Sequence, residues 1–359
     1  MKRHAFLPFV LLAFACSDTP TEVDSTNLVL ARAGATSQIV YTLGAPTTGG
    51  PWRTDLYWMD LNGNKPRQLT TNPGIDQMAD WSPSGDMIVY TRTASASAGL
   101  RSAELYLMRI ASDGTPGTPM KLTYADTPGA DVYPAWSPDG TKIAFRCGNR
   151  QDICFTDVVF LPDGTPFSLP GTALTTDPVG GPWYLDTTPT WSADSKEIMF
   201  GRICIPSSGT QCPASQANQQ RDLWKVDLSG NLTRVTSTPT INEDNPSWNP
   251  KNKKEFVYNR ISWYMQGGVE YESNDIYLDT IPATLPITNA GTQLTRSGFD
   301  DYPWWTPAGD KVLYMRENNG KFDVYRMPYD GSKHKNLTDT PVLQELFPRM
   351  RPDKVSLKK

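Results

Sequence analysis

The sequence contains a repeat in which a tryptophan precedes a tight turn and the turn precedes a short apolar strand. The best preserved copy reads Trp136-Ser137-Pro138-Asp139-Gly140 and continues into Ile143-Ala144-Phe145. Pro, Asp and Gly favour such a turn because each suits a backbone conformation that turns require. The tryptophan recurs at positions 81, 136, 191, 248 and 305, with Met350 as a degenerate sixth copy. A period of about 50 residues, long enough for four short strands, predicts a β-propeller.

Two further motifs follow the turn in every repeat, and each occurs six times. An acidic residue begins the third strand, where we expect it to accept backbone N–H bonds, and a Leu-Thr pair or its variant ends the fourth strand. Six copies predict an all-β fold of six blades. The acids are Asp55, Glu104, Asp152, Asp222, Asp275 and Asp323, and the threonines are Thr70, Thr123, Thr175, Thr236, Thr295 and Thr338.

The two ends of the repeat region complete each other. The N-terminal copy lacks an innermost strand, whereas the C-terminal copy, residues 345–350, contains little else. Pairing them would close the ring and remove two open sheet edges. We therefore expect the C-terminal strand to join the N-terminal blade.

The combined motif, from Trp-Ser-Pro-Asp-Gly through Ile-Ala-Phe to Leu-Thr, resembles the repeat of the TolB-like (WD40-like) propellers over residues 37 to about 353. This resemblance implies a six-bladed propeller that binds proteins at the bacterial cell envelope. TolB itself has an α/β domain before its propeller, whereas about twenty residues lie here between Cys16 and the first strand. The expected organisation is a signal peptide (1–15), a lipidated cysteine with a tether (16–36) and the propeller (37–359).

The first residues have the pattern of an export signal. Lys2 and Arg3 precede a run from Phe6 to Ala15, which is too short to span a bilayer. Cys16 follows directly, as in bacterial lipoproteins, where this cysteine carries the lipid. Phe14 departs from the small residue usual at its position, so cleavage after Ala15 without lipidation stays open. We expect an envelope protein that faces the periplasm or the cell surface and meets the membrane only through its anchor.

Four further cysteines form two close pairs, each around a predicted hairpin. An even number of cysteines in an exported chain favours disulfides. Zinc would need four converging ligands, and the two pairs lie in different repeats. The predicted disulfides are Cys147–Cys154 and Cys204–Cys212.

An acid also recurs five residues before each motif tryptophan or Met350. The innermost strands of a propeller line its axial channel, so we expect these six carboxylates at one mouth of the channel. Such a rim suits Ca²⁺, which prefers oxygen ligands, or a basic segment of a partner. The six acids are Asp76, Asp131, Asp186, Glu243, Asp300 and Glu345.

Counting along the hairpins places an arginine opposite four of these acids, which favours structural ion pairs over ligand binding. Asp131 faces Cys147 and Glu345 faces no arginine, so a calcium site is expected mainly at these two residues. The predicted ion pairs are Asp76 with Arg92, Asp186 with Arg202, Glu243 with Arg260 and Asp300 with Arg316.

Motifs for catalysis are lacking. The mature chain has a single histidine, His334, in a turn that we expect to be solvated, and it has no Gly-x-Ser-x-Gly motif. A net charge of −4 offers no basic field for nucleic acid. We therefore predict no catalytic residues and no enzyme activity. Glycoside hydrolysis by two carboxylates stays open.

Long loops at the predicted acidic face carry aromatic residues. Aromatic side chains on a rigid scaffold are typical of a binding surface, although they can also pack under their own loops. The leading hypothesis is a non-enzymatic binding or scaffold propeller with an envelope protein as its partner. The alternatives are a glycan-binding or glycan-degrading propeller and a structural subunit of a surface assembly. The candidate residues are Trp52, Trp183, Tyr184, Trp263, Tyr264, Tyr271, Phe299 and Tyr302.

Overall fold

The computed structural model describes residues 39–47, 50–123, 129–167, 170–179, 181–206, 209–216, 220–238, 240–266, 269–289 and 291–352. Within these residues, six four-stranded antiparallel sheets form the blades of a propeller. This confirms the predicted all-β fold and its six blades. The described residues contain no helix long and apolar enough to cross a membrane.

The first three blades follow the chain, with one strand taken from the C-terminus. Blade 1 contains, from the axis outwards, β26 (Gln344–Met350), β1 (Ile39–Thr47), β2 (Gly50–Met59) and β3 (Arg67–Gln68). Blade 2 contains β4 (Asp76–Trp81), β5 (Met87–Arg92), β6 (Glu104–Arg109) and β7 (Met120–Lys121). Blade 3 contains β8 (Val132–Trp136), β9 (Lys142–Cys147), β10 (Asp152–Asp157) and β13 (Thr172–Ala173). A separate hairpin of β11 (Val159–Phe160) and β12 (Pro166–Phe167) lies between β10 and β13 in sequence.

The last three blades repeat the same order. Blade 4 contains β14 (Trp183–Trp191), β15 (Glu197–Ile205), β16 (Asp222–Asp227) and β17 (Leu232–Arg234). Blade 5 contains β18 (Asn242–Trp248), β19 (Glu255–Gln266), β20 (Val269–Thr280) and β21 (Thr292–Gln293). Blade 6 contains β22 (Asp300–Trp305), β23 (Lys311–Asn318), β24 (Lys321–Pro328) and β25 (Lys335–Asn336). Short 3₁₀ segments occupy Ala96–Ser102 and Ala214–Gln216.

The ring closes as predicted. Strand β26 pairs antiparallel with β1, with Glu345 opposite Leu43 and Met350 opposite Ile39. The innermost strand of blade 1 therefore comes from the other end of the chain. This pairing covers the edges that β1 and β26 would otherwise expose.

The core lies mainly between the blades. Trp81 of blade 2, for example, packs in one cluster with Val40 and Leu56 of blade 1 and with Ile88 of its own blade. Comparable clusters join each of the other neighbouring blades. Each motif tryptophan therefore belongs to an interface between two sheets, and burying it stabilises both of them.

Hydrogen bonds join neighbouring blades at the residue before the motif tryptophan. The Asp80 carboxylate accepts the backbone N–H of Trp136 at 2.7 Å. The hydroxyls of Thr190 and Ser247 accept the N–H groups of Trp248 and Trp305 in the same way, each at 3.2 Å. These bonds link the inner strands of neighbouring blades.

The Leu-Thr motif anchors the third strand in all six blades. The threonine hydroxyl accepts the N–H of the residue that follows the third-strand acid, at 2.8 to 3.0 Å. The third-strand acids were expected to accept backbone N–H bonds, and Asp275 accepts one from Gly298 at 3.1 Å. Most of these acids also interact with side chains of the fourth strand. Arg234 donates to Asp222 at 2.6 Å, and Lys121 lies 2.7 Å from Glu104. The threonine therefore satisfies the backbone, and the acid holds the outer strand.

Both predicted disulfides are present. Cys147 and Cys154 link β9 to β10 within blade 3, and Cys204 and Cys212 hold the segment that follows β15. The Cα atoms are 5.9 Å apart in each pair.

Three local features differ from the sequence-based expectations. The hairpin of β11 and β12 was not predicted, although the Pro162-Asp163-Gly164 turn between its apolar strands is a hairpin signal. Two of the long loops that we expected to carry the aromatic residues, residues 45–54 and 262–273, are largely continuations of paired strands, with β19 and β20 paired as far as Gln266 and Val269.

The blades give the propeller two distinct ends. The turn end carries the connections from first to second strand and from third to fourth strand. The loop end carries the connections from second to third strand and those between blades. Strand β1 begins at the turn end, because Ile39 pairs with Met350 at the position of a motif tryptophan. The chain therefore enters the propeller at the turn end.

Candidate functional site: the loop end of the propeller

Buried ion pairs lie at the loop end of the inner strands. In blade 4, Arg202 donates from Nε and Nη2 to the two Asp186 oxygens at 2.6 and 2.7 Å. Both side chains are almost fully buried. Blades 2 and 6 repeat this bidentate geometry, so the predicted register is confirmed. The equivalent bonds are Arg92 to Asp76 at 2.7 and 2.7 Å and Arg316 to Asp300 at 2.5 and 3.0 Å.

The pair in blade 5 is looser. Glu243 lies opposite Arg260 as predicted, but the closest distance between Arg260 Nε and Glu243 Oε1 is 3.6 Å. Among the described residues, neither Arg260 Nε nor Glu243 Oε2 has a hydrogen-bond partner. Burial raises the pKa of Glu243 to about 7, against the opposing effects of Thr236 and Arg260.

The two acids without an arginine are also buried. Burial raises the pKa of Asp131 to about 6 and that of Glu345 to about 7. The Thr340 hydroxyl donates to Glu345 Oε1 at 2.5 Å. No group of three or more His, Cys, Asp or Glu side chains in the described residues is arranged to hold a metal ion. Calcium binding at Asp131 and Glu345 stays a prediction.

The six acids do not form an open rim. Each is at most 9% exposed. The bidentate arginines come from the second strand of the same blade, so these carboxylates are directed into the blade rather than towards open solvent. The axis is occupied instead by the side chain that lies two positions after the acid in each inner strand.

This axial position has a positive φ in every blade, at a break in the register with the second strand. Tyr133 and Tyr302, from opposite blades, stack with their ring centroids 6.3 Å apart and their hydroxyls 3.1 Å apart. The Phe347 ring meets Tyr302 edge-on at 4.8 Å. These rings form an axial plug. The positive-φ residues are Met78, Tyr133, Thr188, Asn245, Tyr302 and Phe347.

Tyr302 therefore belongs to the plug rather than to the exposed aromatic face on which it was predicted. Its φ of 50° turns the side chain inwards, and burial raises the pKa of its hydroxyl. A single sequence gives no local signal for this bulge, because a tyrosine with positive φ is unusual.

An arginine of blade 3 also reaches the plug. Blades 2, 4, 5 and 6 place an arginine opposite the acid, but in blade 3 that position is Cys147 and the arginine is residue 146. Since adjacent strand residues point to opposite faces, this shift redirects the side chain. The Arg146 guanidinium lies 5.0 Å from the centre of the Tyr133 ring.

The opposite half of the axis is polar, a feature that the sequence did not reveal. Thr187 donates to Asp244 at 2.5 Å, and Arg221 lies 2.5 Å from the other oxygen of Asp244. Asn245 donates to Asp301 at 2.9 Å. Burial raises the pKa of Asp301 to about 7. These carboxylates are held by donors of neighbouring blades.

Among the side chains that the structure describes, three large aromatic ones are exposed at the loop end. Trp183 is 61% exposed, Trp263 is 54% exposed and Phe299 is 50% exposed. Tyr184 is partly buried, with the Arg202 guanidinium 4.7 Å from its ring centre. We call Trp183, Trp263 and Phe299 the aromatic face.

Paired strands hold the aromatic face in place. Trp183 pairs with Ile205 at the open end of the β14–β15 hairpin, next to the Cys204–Cys212 disulfide. Trp263 pairs with Glu272 between β19 and β20. Phe299 bridges to Asn274 of β20. Rigid support reduces the entropy lost when a partner binds.

The structure does not describe the side chains of the remaining predicted site residues. Trp52, Tyr264 and Tyr271 belong to β2, β19 and β20, but their side chains lie outside the described part of the structure. Cys16 also lies outside the described residues.

The sequence matches no protein-family model and no curated protein. The structure resembles TolB from Acinetobacter baumannii, with a TM-score of 0.60 and 17% identity, covering 89% of this chain and 68% of that one. A candidate TolB from Agrobacterium tumefaciens gives 0.55 and 16%, covering 89% of this chain and 100% of that one. Hydrazine synthase from Kuenenia stuttgartiensis gives 0.62 and 13%, covering 91% and 48%. The fold is that of the TolB-like propellers.

Proposed function

We propose that this TolB-like six-bladed propeller is a non-enzymatic binding protein of the bacterial cell envelope, and that it docks another protein on its loop end. The observation that carries the proposal is the aromatic face, in which Trp183, Trp263 and Phe299 are half exposed or more. Large exposed aromatics in one region of a surface are typical of interaction sites.

The state of the axis favours a macromolecular partner over a small ligand. A small ligand usually enters a concave pocket, whereas Tyr133, Tyr302 and Phe347 fill the centre of this propeller. The loop end therefore presents a surface that surrounds a filled axis. Tryptophan anchors on such a surface commonly supply most of the binding free energy between proteins.

Some of the polar groups that acid–base chemistry would use have structural partners. Asp244 is held by Arg221 and Thr187, and Nδ1 of His334 lies 2.8 Å from the Tyr314 hydroxyl. These contacts support a binding role rather than a catalytic one.

The envelope location is part of the proposal. Two disulfides suit an exported protein. Lipidation of Cys16 would hold the propeller at a membrane, where its partner would be another envelope protein.

A capture experiment from detergent-solubilised envelope tests the proposal. The protein is used as bait, and bound partners are identified and titrated. The double variant Trp183→Ala/Trp263→Ala should weaken capture by about 30-fold or more, because the loss of even one anchor residue costs about 2 kcal/mol or more. Tyr329→Ala removes an exposed aromatic at the turn end and should leave capture unchanged.

Two outcomes would oppose the proposal. Equal capture by wild type and the double variant would remove the aromatic face from the interaction. Binding to a glycan array that the double variant loses, without capture of any protein, would assign the same face to a carbohydrate.

A further inference from the structure

The hairpin of β11 and β12 exposes one apolar face. Val159 and Phe167 are direct cross-strand partners, and Leu161 lies two residues beyond Val159 on the same side. These three side chains are 44%, 46% and 43% exposed. Phe160 and Pro166 take the opposite side, where Arg109 lies over the Phe160 ring at 5.6 Å. One side of the hairpin therefore packs on the propeller and the other is uncovered in this structure.

The neighbouring blade adds two leucines at the same end. Leu228 and Leu232 are 36% and 39% exposed and flank the turn between β16 and β17. The Asp227 carboxylate accepts the N–H groups of Ser229 and Asn231 at 2.9 Å each, which fixes this turn. We call Val159, Leu161, Phe167, Leu228 and Leu232 the apolar turn-end set.

The chain preceding the propeller connects at this end. Strand β1 begins at the turn end with Ile39, so residues 17–38 lead from the turn end back to Cys16. An extended chain spans about 3.3 Å per residue, so this tether reaches at most roughly 75 Å. A lipid on Cys16 would keep the turn end near a bilayer at high effective concentration, so a weak contact would suffice to hold it there.

The chemistry of the turn-end set suits a lipid interface. Four of its members are aliphatic and one is phenylalanine. Insertion into the boundary between headgroups and acyl chains requires apolar area and no directional bonds. Protein hot spots are instead enriched in Trp, Tyr and Arg, and the set contains none of these.

We propose that the turn end of blades 3 and 4 rests on a lipid surface through the apolar turn-end set, and that this contact directs the loop end away from the membrane. The orientation goes beyond the proposed function and uses different residues. It depends on the Cys16 anchor only for its strength.

The first test measures intrinsic lipid binding. The full chain carrying Cys16→Ala is exported without its anchor and floated with vesicles of three parts phosphatidylcholine to one part phosphatidylglycerol. Val159→Asp/Phe167→Glu should lower the partition coefficient about tenfold or more, as should Leu228→Asp/Leu232→Asp. Trp183→Ala/Trp263→Ala should partition like the parent. Unchanged melting temperatures would show that the exposed-site variants are folded.

Equal partitioning of parent and turn-end variants would overturn the proposal, as would no measurable partitioning of the parent. Dimerisation of the parent in sedimentation, lost in Val159→Asp/Phe167→Glu and without vesicle binding, would replace the lipid with a second copy of the chain.

The second test follows hydrogen exchange of the lipidated full chain on the same vesicles and in detergent. Backbone amides of residues 158–167 and 228–232 should exchange about tenfold more slowly on vesicles, while those around Trp183 and Trp263 should not change. Slower exchange at the loop end alone would reverse the orientation and overturn the proposal. Loss of partner capture with this pattern intact would count against the proposed function only.

Discussion

Removing the carboxylate from a buried arginine–aspartate pair should lower the stability of the fold strongly. Arg202 and Asp186 are both almost fully desolvated, and their two hydrogen bonds compensate that desolvation. Removing the carboxylate charge would leave a buried guanidinium without its counterion. Such an uncompensated charge costs far more than a surface ion pair contributes.

We expect Asp186→Asn to lower the free energy of unfolding by about 3 kcal/mol or more. Asp131→Asn is the matched control, because Asp131 occupies the same position of its blade and has no arginine. Its free energy of unfolding should change by about 1 kcal/mol or less. Denaturant titrations at pH 7.5 measure both, and equal losses in the two variants would contradict the explanation.

Glu345 should make stability depend on pH. Its folded pKa of about 7 lies above the ordinary value of 4.5, because of burial. Between these pH values the folded state retains a proton that the unfolded state has released, so this contribution is full below pH 4.5 and is lost as pH rises through 7. The slope is at most about 1.4 kcal/mol per pH unit.

Glu345→Gln should abolish this part of the pH dependence. Glu243, Asp131 and Asp301 also have raised pKa values, so the informative quantity is wild type minus variant. Unfolding free energies at pH 5, 6 and 7 should give a difference that falls with pH. A constant difference would show that Glu345 does not titrate in this range.

At the scale of single elements, the short strand β26 is important because it closes the ring. It supplies the inner strand of blade 1, and its Arg351 continuation donates to the Gly85 carbonyl of blade 2 at 2.6 Å. Without it, β1 would become an open edge and the plug would lose Phe347.

A chain that ends at Leu343 should therefore fail to give a cooperative thermal transition and should aggregate through the exposed β1 edge. A chain that ends at Pro352 keeps all described closure contacts and should melt like the full chain. Near-ultraviolet circular dichroism and light scattering compare the two. A cooperative transition in the shorter chain would show that closure is dispensable.

The sequence predicted the hairpin-level features and the closure of the ring, and it missed the contacts across the axis. Placing Arg202 opposite Asp186 requires only strand alternation and a turn of known length. The contact between Tyr133 and Tyr302 joins residues 169 apart in sequence and depends on positive-φ bulges that no local motif marks. The Pro-Asp-Gly turn indicates the β11–β12 hairpin. The prediction missed this hairpin because it assigned only four strands to each repeat.

At the scale of the whole molecule, the core between blades should make unfolding cooperative. Each cluster contains residues of two neighbouring sheets, so the loss of one blade exposes the sides of two others. Trp191 of blade 4 packs with Ile153 of blade 3 in this way.

We expect Trp191→Ala to lower the free energy of unfolding by about 3–5 kcal/mol and to retain a single transition. Trp263→Ala removes an exposed indole and should change it by about 0.5 kcal/mol or less. Fluorescence and far-ultraviolet circular dichroism should follow coincident denaturant curves. Separated transitions would mean that the blades unfold independently.

Ring closure has one more consequence for the ends of the chain. Ile39 and Met350 are direct partners at the turn end, so a short peptide could join them without crossing the ring. The protein should then tolerate circular permutation, with new termini opened between any two blades at the loop end. Such permutants would move the attachment point of a fused domain or anchor from one end of the propeller to the other while keeping every blade.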